Sequence, residues 1–110
     1  MALKHLLPMQ PVDLHPLEAG LSHAKSVALF KSEQLEVIRL VMPAGKTLPP
    51  HRVDGEMTLQ CLEGEVEVEA DGEKTRLRAA QMLYLRGGAP HSVAATSDAS
   101  LLLTVVLHRE

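Results

Sequence analysis

The chain has 110 residues, a formal charge of −3, one cysteine and no tryptophan. That length supports one hydrophobic core, and the lone Cys61 excludes an internal disulfide framework and fits a reducing compartment. With Phe30 and Tyr84 as its aromatics, the chain offers neither the basic field nor the stacking platform that a nucleic-acid partner requires.

Pro8, Pro11 and Pro16 interrupt the opening segment, so residues 1–24 read as an irregular or partly helical arm with a short helical turn over 17–24. The first apolar run is too short for a secretory signal and carries His5 and Pro8. Nothing in the chain approaches the ~20 apolar residues of a membrane span. The expectation is a cytoplasmic protein with no membrane partner.

Residues 25–110 read as a single β domain. Short strands are predicted over 26–31, 34–42, 46–51, 57–63, 65–70, 82–85, 91–95 and 100–107. Pro43-Ala44-Gly45, Asp54-Gly55, the 86–90 loop and Ser97-Asp98 separate them. The segment Glu65-Val-Glu-Val-Glu69 alternates with period two and runs into Asp71-Gly72, a two-residue hairpin signal. That turn sets Glu69 opposite Lys74, Glu67 opposite Arg76 and Glu65 opposite Arg78. One face is thus a solvated charge ladder, with Val66, Val68, Thr75 and Leu77 on the other. No segment has a good amphipathic helical pattern, so the fold class is all-β, a barrel or sandwich.

Two strands, 37–42 and 101–107, are apolar on both faces, whereas a half-exposed antiparallel sheet should show one polar face. The surplus must be covered by the arm or by a second copy, and a homodimer with help from the arm is the favoured reading. Arg39 interrupts the first of these strands and reads as a paired interface residue.

Two histidines, each preceded by proline, lie forty residues apart: Pro50-His51 and Pro90-His91. Gly45 precedes His51 by five intervening residues, Met57 is followed by six and then Gly64, and the second segment reads Arg86-Gly-Gly-Ala-Pro90-His91. This framework, over about residues 35–107, resembles the two motifs of the cupin family. The resemblance implies a double-stranded β-helix, the jelly-roll barrel, with the motif histidines converging at its mouth. Four departures accompany it. The family's second histidine falls on Val53, its glutamate on Met57, the glycine opening the second motif on Ala80, and the following aspartate on Gln81. Of the four ligand positions of the family, His51 and His91 keep ligand side chains.

Two functions stay open. One is a small-molecule binding or sensing module, with His51 and His91 orienting a ligand over an apolar pocket of Val53, Met57 and Leu59, and Cys61 on the same strand parity. The other is a metal-dependent dioxygenase or isomerase with iron, nickel or zinc on His51 and His91. A metal-free variant would use one imidazole as general acid or base. The metal reading needs a third ligand. Glu56 is nearest, but its parity sends it to the opposite face unless a bulge at Asp54-Gly55 intervenes. Met42 and Met82 read as core filling, Cys61 as a buried inert thiol, and His5, His15, His23 and His108 as surface residues. Arg52 and Arg86, each near a motif histidine, are candidates for attracting an anionic ligand.

Overall fold

Period-two alternation becomes paired strands through most of the chain. The computed structural model describes residues 6–107. Within them lie β1 (Val27–Lys31), β2 (Leu35–Met42), β3 (Thr47–His51), β4 (Met57–Glu63), β5 (Glu65–Ala70), β6 (Glu73–Arg78), β7 (Met82–Leu85), β8 (His91–Ala95) and β9 (Ala99–Val106). One sheet runs β1-β2-β9-β4-β7 and the other β3-β8-β5-β6, and all their pairings are antiparallel. The molecule is the all-β, double-stranded β-helix that the motif resemblance implies. His5 and His108 fall outside the described residues, while His15 and His23 are exposed.

The β5–β6 hairpin has the register that Asp71-Gly72 dictates, with Glu65 opposite Arg78, Glu67 opposite Arg76 and Glu69 opposite Lys74. Both turn residues take positive φ, 52° at Asp71 and 79° at Gly72, as a two-residue turn of this hand requires. The ion pairs are less regular than the ladder. Arg76 reaches diagonally to Glu65 at 2.9 Å, and Arg78 approaches the same carboxylate at 3.7 Å. Val66, Val68 and Leu77 are buried beneath, whereas Thr75 stays exposed because β6 is an edge strand.

The core lies between the sheets and includes Met42, Leu59, Cys61, Val66 and Leu101, each inaccessible or nearly so. Met82 departs from the expectation of core filling. It pairs with Gln60 on the outward face of edge strand β7 and is 61% exposed.

The arm, with a 3-10 helix over Glu18–His23, docks on the outward face of the larger sheet through one charged cluster. Glu63 accepts the backbone N–H groups of Leu17 at 2.7 Å and Glu18 at 3.1 Å, and the Ser100 hydroxyl at 3.1 Å. Arg39 donates to the His15 carbonyl at 2.9 Å and lies 3.7 Å from Glu63. Arg39 is therefore paired, as expected, and its partners belong to its own chain. Burial would raise the Glu63 carboxyl, but the Leu17 and Glu18 N–H groups, Ser100 and the Arg39 charge outweigh it and hold the group below the usual carboxylate range. Leu21 of the arm is buried by this docking, while Leu35, Val106, Met82 and Tyr84 on the outward face remain exposed.

Candidate functional site

His51 reaches the barrel interior because of two prolines. Leu48 pairs with Val93 on the inward face, and strict alternation from there would turn His51 outward. The register shifts between Leu48 and His51, so β3 carries one extra residue against β8 and His51 pairs directly with His91. Pro49 and Pro50 have no N–H for the ladder, and such residues are tolerated on an edge strand at a bulge. The parity change brings the two imidazoles together, with ring centroids 4.3 Å apart and planes inclined at 56°.

The environments of the two rings differ, but their hydrogen bonding is the same. His91 is 3% exposed and His51 is exposed at the mouth. Nδ1 of His91 lies 3.1 Å from the Ala89 carbonyl, and Nδ1 of His51 lies 3.3 Å from the Pro49 carbonyl. A carbonyl can only accept, so each neutral ring carries its proton on Nδ1 and presents a bare Nε2. Among the described residues, neither Nε2 has a protein hydrogen-bond partner.

His51 borders a cavity of about 480 Å³ at the open end of the barrel. Its walls are apolar at Ile38, Val53, Met57, Leu103 and Val105, and its rim carries Lys31, Glu36, Arg52 and Asp54. On the other side of the histidine pair, His91 borders a second cleft with Pro50, Glu69, Asp71 and Ser92. The expected pocket residues separate accordingly. His51, Val53 and Met57 line the first cavity, and His91 sits beside His51. Leu59 and Cys61 lie deeper, in the closed core, with 1% and 0% exposure. Burial pushes the Cys61 thiol up, against a smaller lowering by its hydrogen bond to the Glu63 backbone, and the nearby Glu63 and Glu65 charges add to the rise. The thiol therefore stays protonated.

The carboxylate one position from the family's glutamate site does not join the histidines. Glu56 accepts the Tyr84 hydroxyl, which lies on the outward face opposite Thr58, and this bond is the main cause of the raised Tyr84 pKa. Arg86 is bound to Asp71 at 2.9 Å, which leaves Arg52 as the arginine at the first cavity.

Lys31 and Glu36 are cavity residues that the sequence reading missed. A signal for Glu36 existed, since it is in phase with Ile38, Leu40 and Met42. Cross-strand register then carries the row Glu36, Val105, Met57, Leu85 over the inward face of the larger sheet. At ~4.8 Å per strand, the Glu36 backbone stands about 10 Å from that of Met57.

The cupin-domain family profile matches residues 38–107, about two thirds of the chain. The chain belongs to the cupin family. Several solved structures share this fold. A cupin superfamily protein from Desulfitobacterium hafniense is 20% identical with a TM-score of 0.78, covering 98% of this chain and all of its own. A conserved protein of unknown function from Streptococcus pyogenes is 19% identical with a TM-score of 0.76, covering both chains completely. KdgF from Halomonas sp. is 20% identical with a TM-score of 0.69, covering 77% of this chain and 79% of its own. No curated protein matches this cupin by sequence.

The residues at this cupin's mouth do not make the three-ligand set that catalytic zinc or a two-histidine, one-carboxylate iron site uses. His51 and His91 supply two nitrogens, but Val53 and Met57 occupy the other motif positions with apolar side chains. Among the described residues, no group of three or more His, Cys, Asp or Glu side chains converges at metal-binding distance.

Proposed function

We propose that this cupin binds a small molecule in the cavity beside His51, with the paired imidazoles as the groups that orient it. One observation carries the reading. The bare Nε2 of His51, fixed in tautomer by a backbone carbonyl, stands at the edge of an apolar-walled cavity whose volume suits a small organic ligand, and His91, held in the same tautomer, packs directly behind it. Val53 and Met57, where the family places ligands for a metal, give this cavity adaptable apolar contact instead.

The same hydrogen bonds favour one alternative. A metal-binding histidine commonly gives its second ring N–H to a carbonyl. His51 and His91 therefore have the outer-shell arrangement of a two-nitrogen site for iron, nickel or zinc, which would take its remaining ligands from a bound molecule or solvent. As an enzyme, this cupin would use such a site for dioxygenase or isomerase chemistry.

The experiment is elemental analysis and ligand-observed NMR screening of untagged protein beside a His51→Ala/His91→Ala variant. The binding reading expects fragments that occupy the cavity in the parent and weaken in the variant, with no stoichiometric metal. Near-stoichiometric metal lost in the variant would replace it with the enzyme reading. The biological unit in this proposal is a homodimer through the outward strip of Leu35, Val106, Tyr84 and Met82, which the arm leaves uncovered. A cytoplasmic location is part of the same proposal. Among the described residues, no helix is long and apolar enough to cross a membrane.

A further inference from the structure

The cavity rim carries four charged side chains, and their arrangement narrows the ligand. Lys31 and Glu36 are direct cross-strand partners on β1 and β2, on the inward face. Arg52 and Asp54 stand in the connection between β3 and β4 and line the same cavity. Opposite charges in such positions commonly pair. Among the described residues, however, the ion pairs use Arg39, Arg76, Arg78 and Arg86, and neither Lys31 nor Arg52 is in one. Glu36 is half-buried and likewise lacks an ion-pair partner. Its partial burial carries a desolvation cost that a bound donor group would offset.

Donors and acceptors are thus both available over one apolar floor. Lys31 and Arg52 present charge-assisted donors, and the Arg52 guanidinium matches a carboxylate in shape. Glu36 and the bare His51 Nε2 present acceptors. A simple fatty acid would leave Glu36 unanswered, and a neutral alcohol would leave both cations unanswered. We infer that the cavity takes a small carboxylic acid with a hydrogen-bond donor, hydroxyl or ammonium, near the carboxylate and a short branched apolar body. The carboxylate meets Lys31 and Arg52, the donor meets Glu36 and His51, and the body rests on Ile38, Met57, Leu103 and Val105. This inference rests on the binding reading above and specifies its ligand class.

The test is an NMR titration of the full chain, following the backbone amides of Ile38, Met57 and Val105. Four probes share one apolar skeleton: 2-hydroxy-4-methylpentanoate, leucine, 4-methylpentanoate and 4-methylpentan-1-ol. One of the first two is expected to bind about ten-fold more tightly than the alcohol. A Lys31→Gln/Arg52→Gln variant should lose that advantage while leaving the alcohol's affinity unchanged. Glu36→Gln should weaken the preferred probe and spare 4-methylpentanoate. Preference for leucine identifies the donor as ammonium, and preference for the hydroxy acid identifies it as hydroxyl. If all four probes bind alike, or the acids ignore the double variant, the ligand class is overturned while the binding cavity stands. If no probe shifts the cavity amides, both the class and the binding reading fall. All three substituted side chains are polar and line the open rim, and an unchanged spectrum elsewhere verifies the fold.

Discussion

Ala80 has a φ of 71°, the left-handed region in which a Cβ crowds the backbone. This is the position where the cupin motif has glycine. Its N–H bonds the Cys61 carbonyl at 2.8 Å, so the conformation is held from the neighbouring strand. Replacing Ala80 with glycine removes the crowding but gives the unfolded chain more freedom, and the two effects oppose each other. The expected net result is a gain of up to about 1 kcal/mol, read as a higher urea midpoint at unchanged slope. The apolar substitutions at the motif support a second prediction. A Val53→His/Met57→Glu variant places two more ligand side chains beside His51 and His91. Calorimetric titration with Ni²⁺ or Zn²⁺ should show at least about ten-fold tighter binding than the parent, because the site then has a full ligand set.

At the scale of elements, the bulge in β3 and the docked arm each make a claim that can be checked. Deleting Pro50 removes the one extra residue, so His51 comes to lie two positions after Leu48 and strict alternation should keep it inward, opposite His91. The ring-to-ring nuclear Overhauser contact of the parent should therefore survive the deletion, and the amide signals of β5 and β6 should keep their shifts; loss of the contact would show that the extra residue does not set the parity. For the arm, the sign of the pH effect follows from Glu63. Its folded pKa is depressed, so its contribution is fully present above the ordinary carboxylate value and is lost as pH falls through the folded value. Limited proteolysis should therefore release the arm faster at about pH 3 than at about pH 6, with the change setting in below the ordinary value of ~4.3. Glu63→Gln should cleave readily at both. Legibility divides along similar lines. The β5–β6 hairpin was readable because Asp71-Gly72 fixes its register locally. The inward turn of His51 was implied by the family resemblance but not by the local pattern, because two prolines only signal extended chain and the parity change appears once β8 is beside them. Met82 reads as apolar and sits in a strand, but its exposure follows from β7 being an edge, which no local pattern states. Lys31 and Glu36 join the site through pairings with distant strands, and only the phase of Glu36 hinted at this.

For the whole molecule, the two sheets share one closed core with Leu101 at its centre, fully inaccessible. Leu101→Ala should cost about 2–5 kcal/mol in chemical denaturation, since a closed core collapses poorly around a void. The outward face of the larger sheet makes a separate prediction. If the exposed strip is a homodimer contact, light scattering should give twice the chain mass, and Met82→Lys/Tyr84→Lys should return the single-chain mass without loss of folded signal. A lysine on that edge would cost little in an isolated barrel, because both positions already face outward.

Strand β9 has neighbours on both sides, β2 and β4, although it is made after either of them. During translation the ribosome releases β2 and β4 with a vacancy of one strand between them. Neither can complete its ladder until residues 99–106 arrive to pair with both. The apolar faces of 37–42 must wait until residues 99–106 have been made and have left the ribosome, and sheet closure then comes as a single event. A released chain truncated before residue 99 should accordingly behave as an unfolded client in which β5–β6 can still form its hairpin. Restoring residues 99–106 should convert it into a closed barrel.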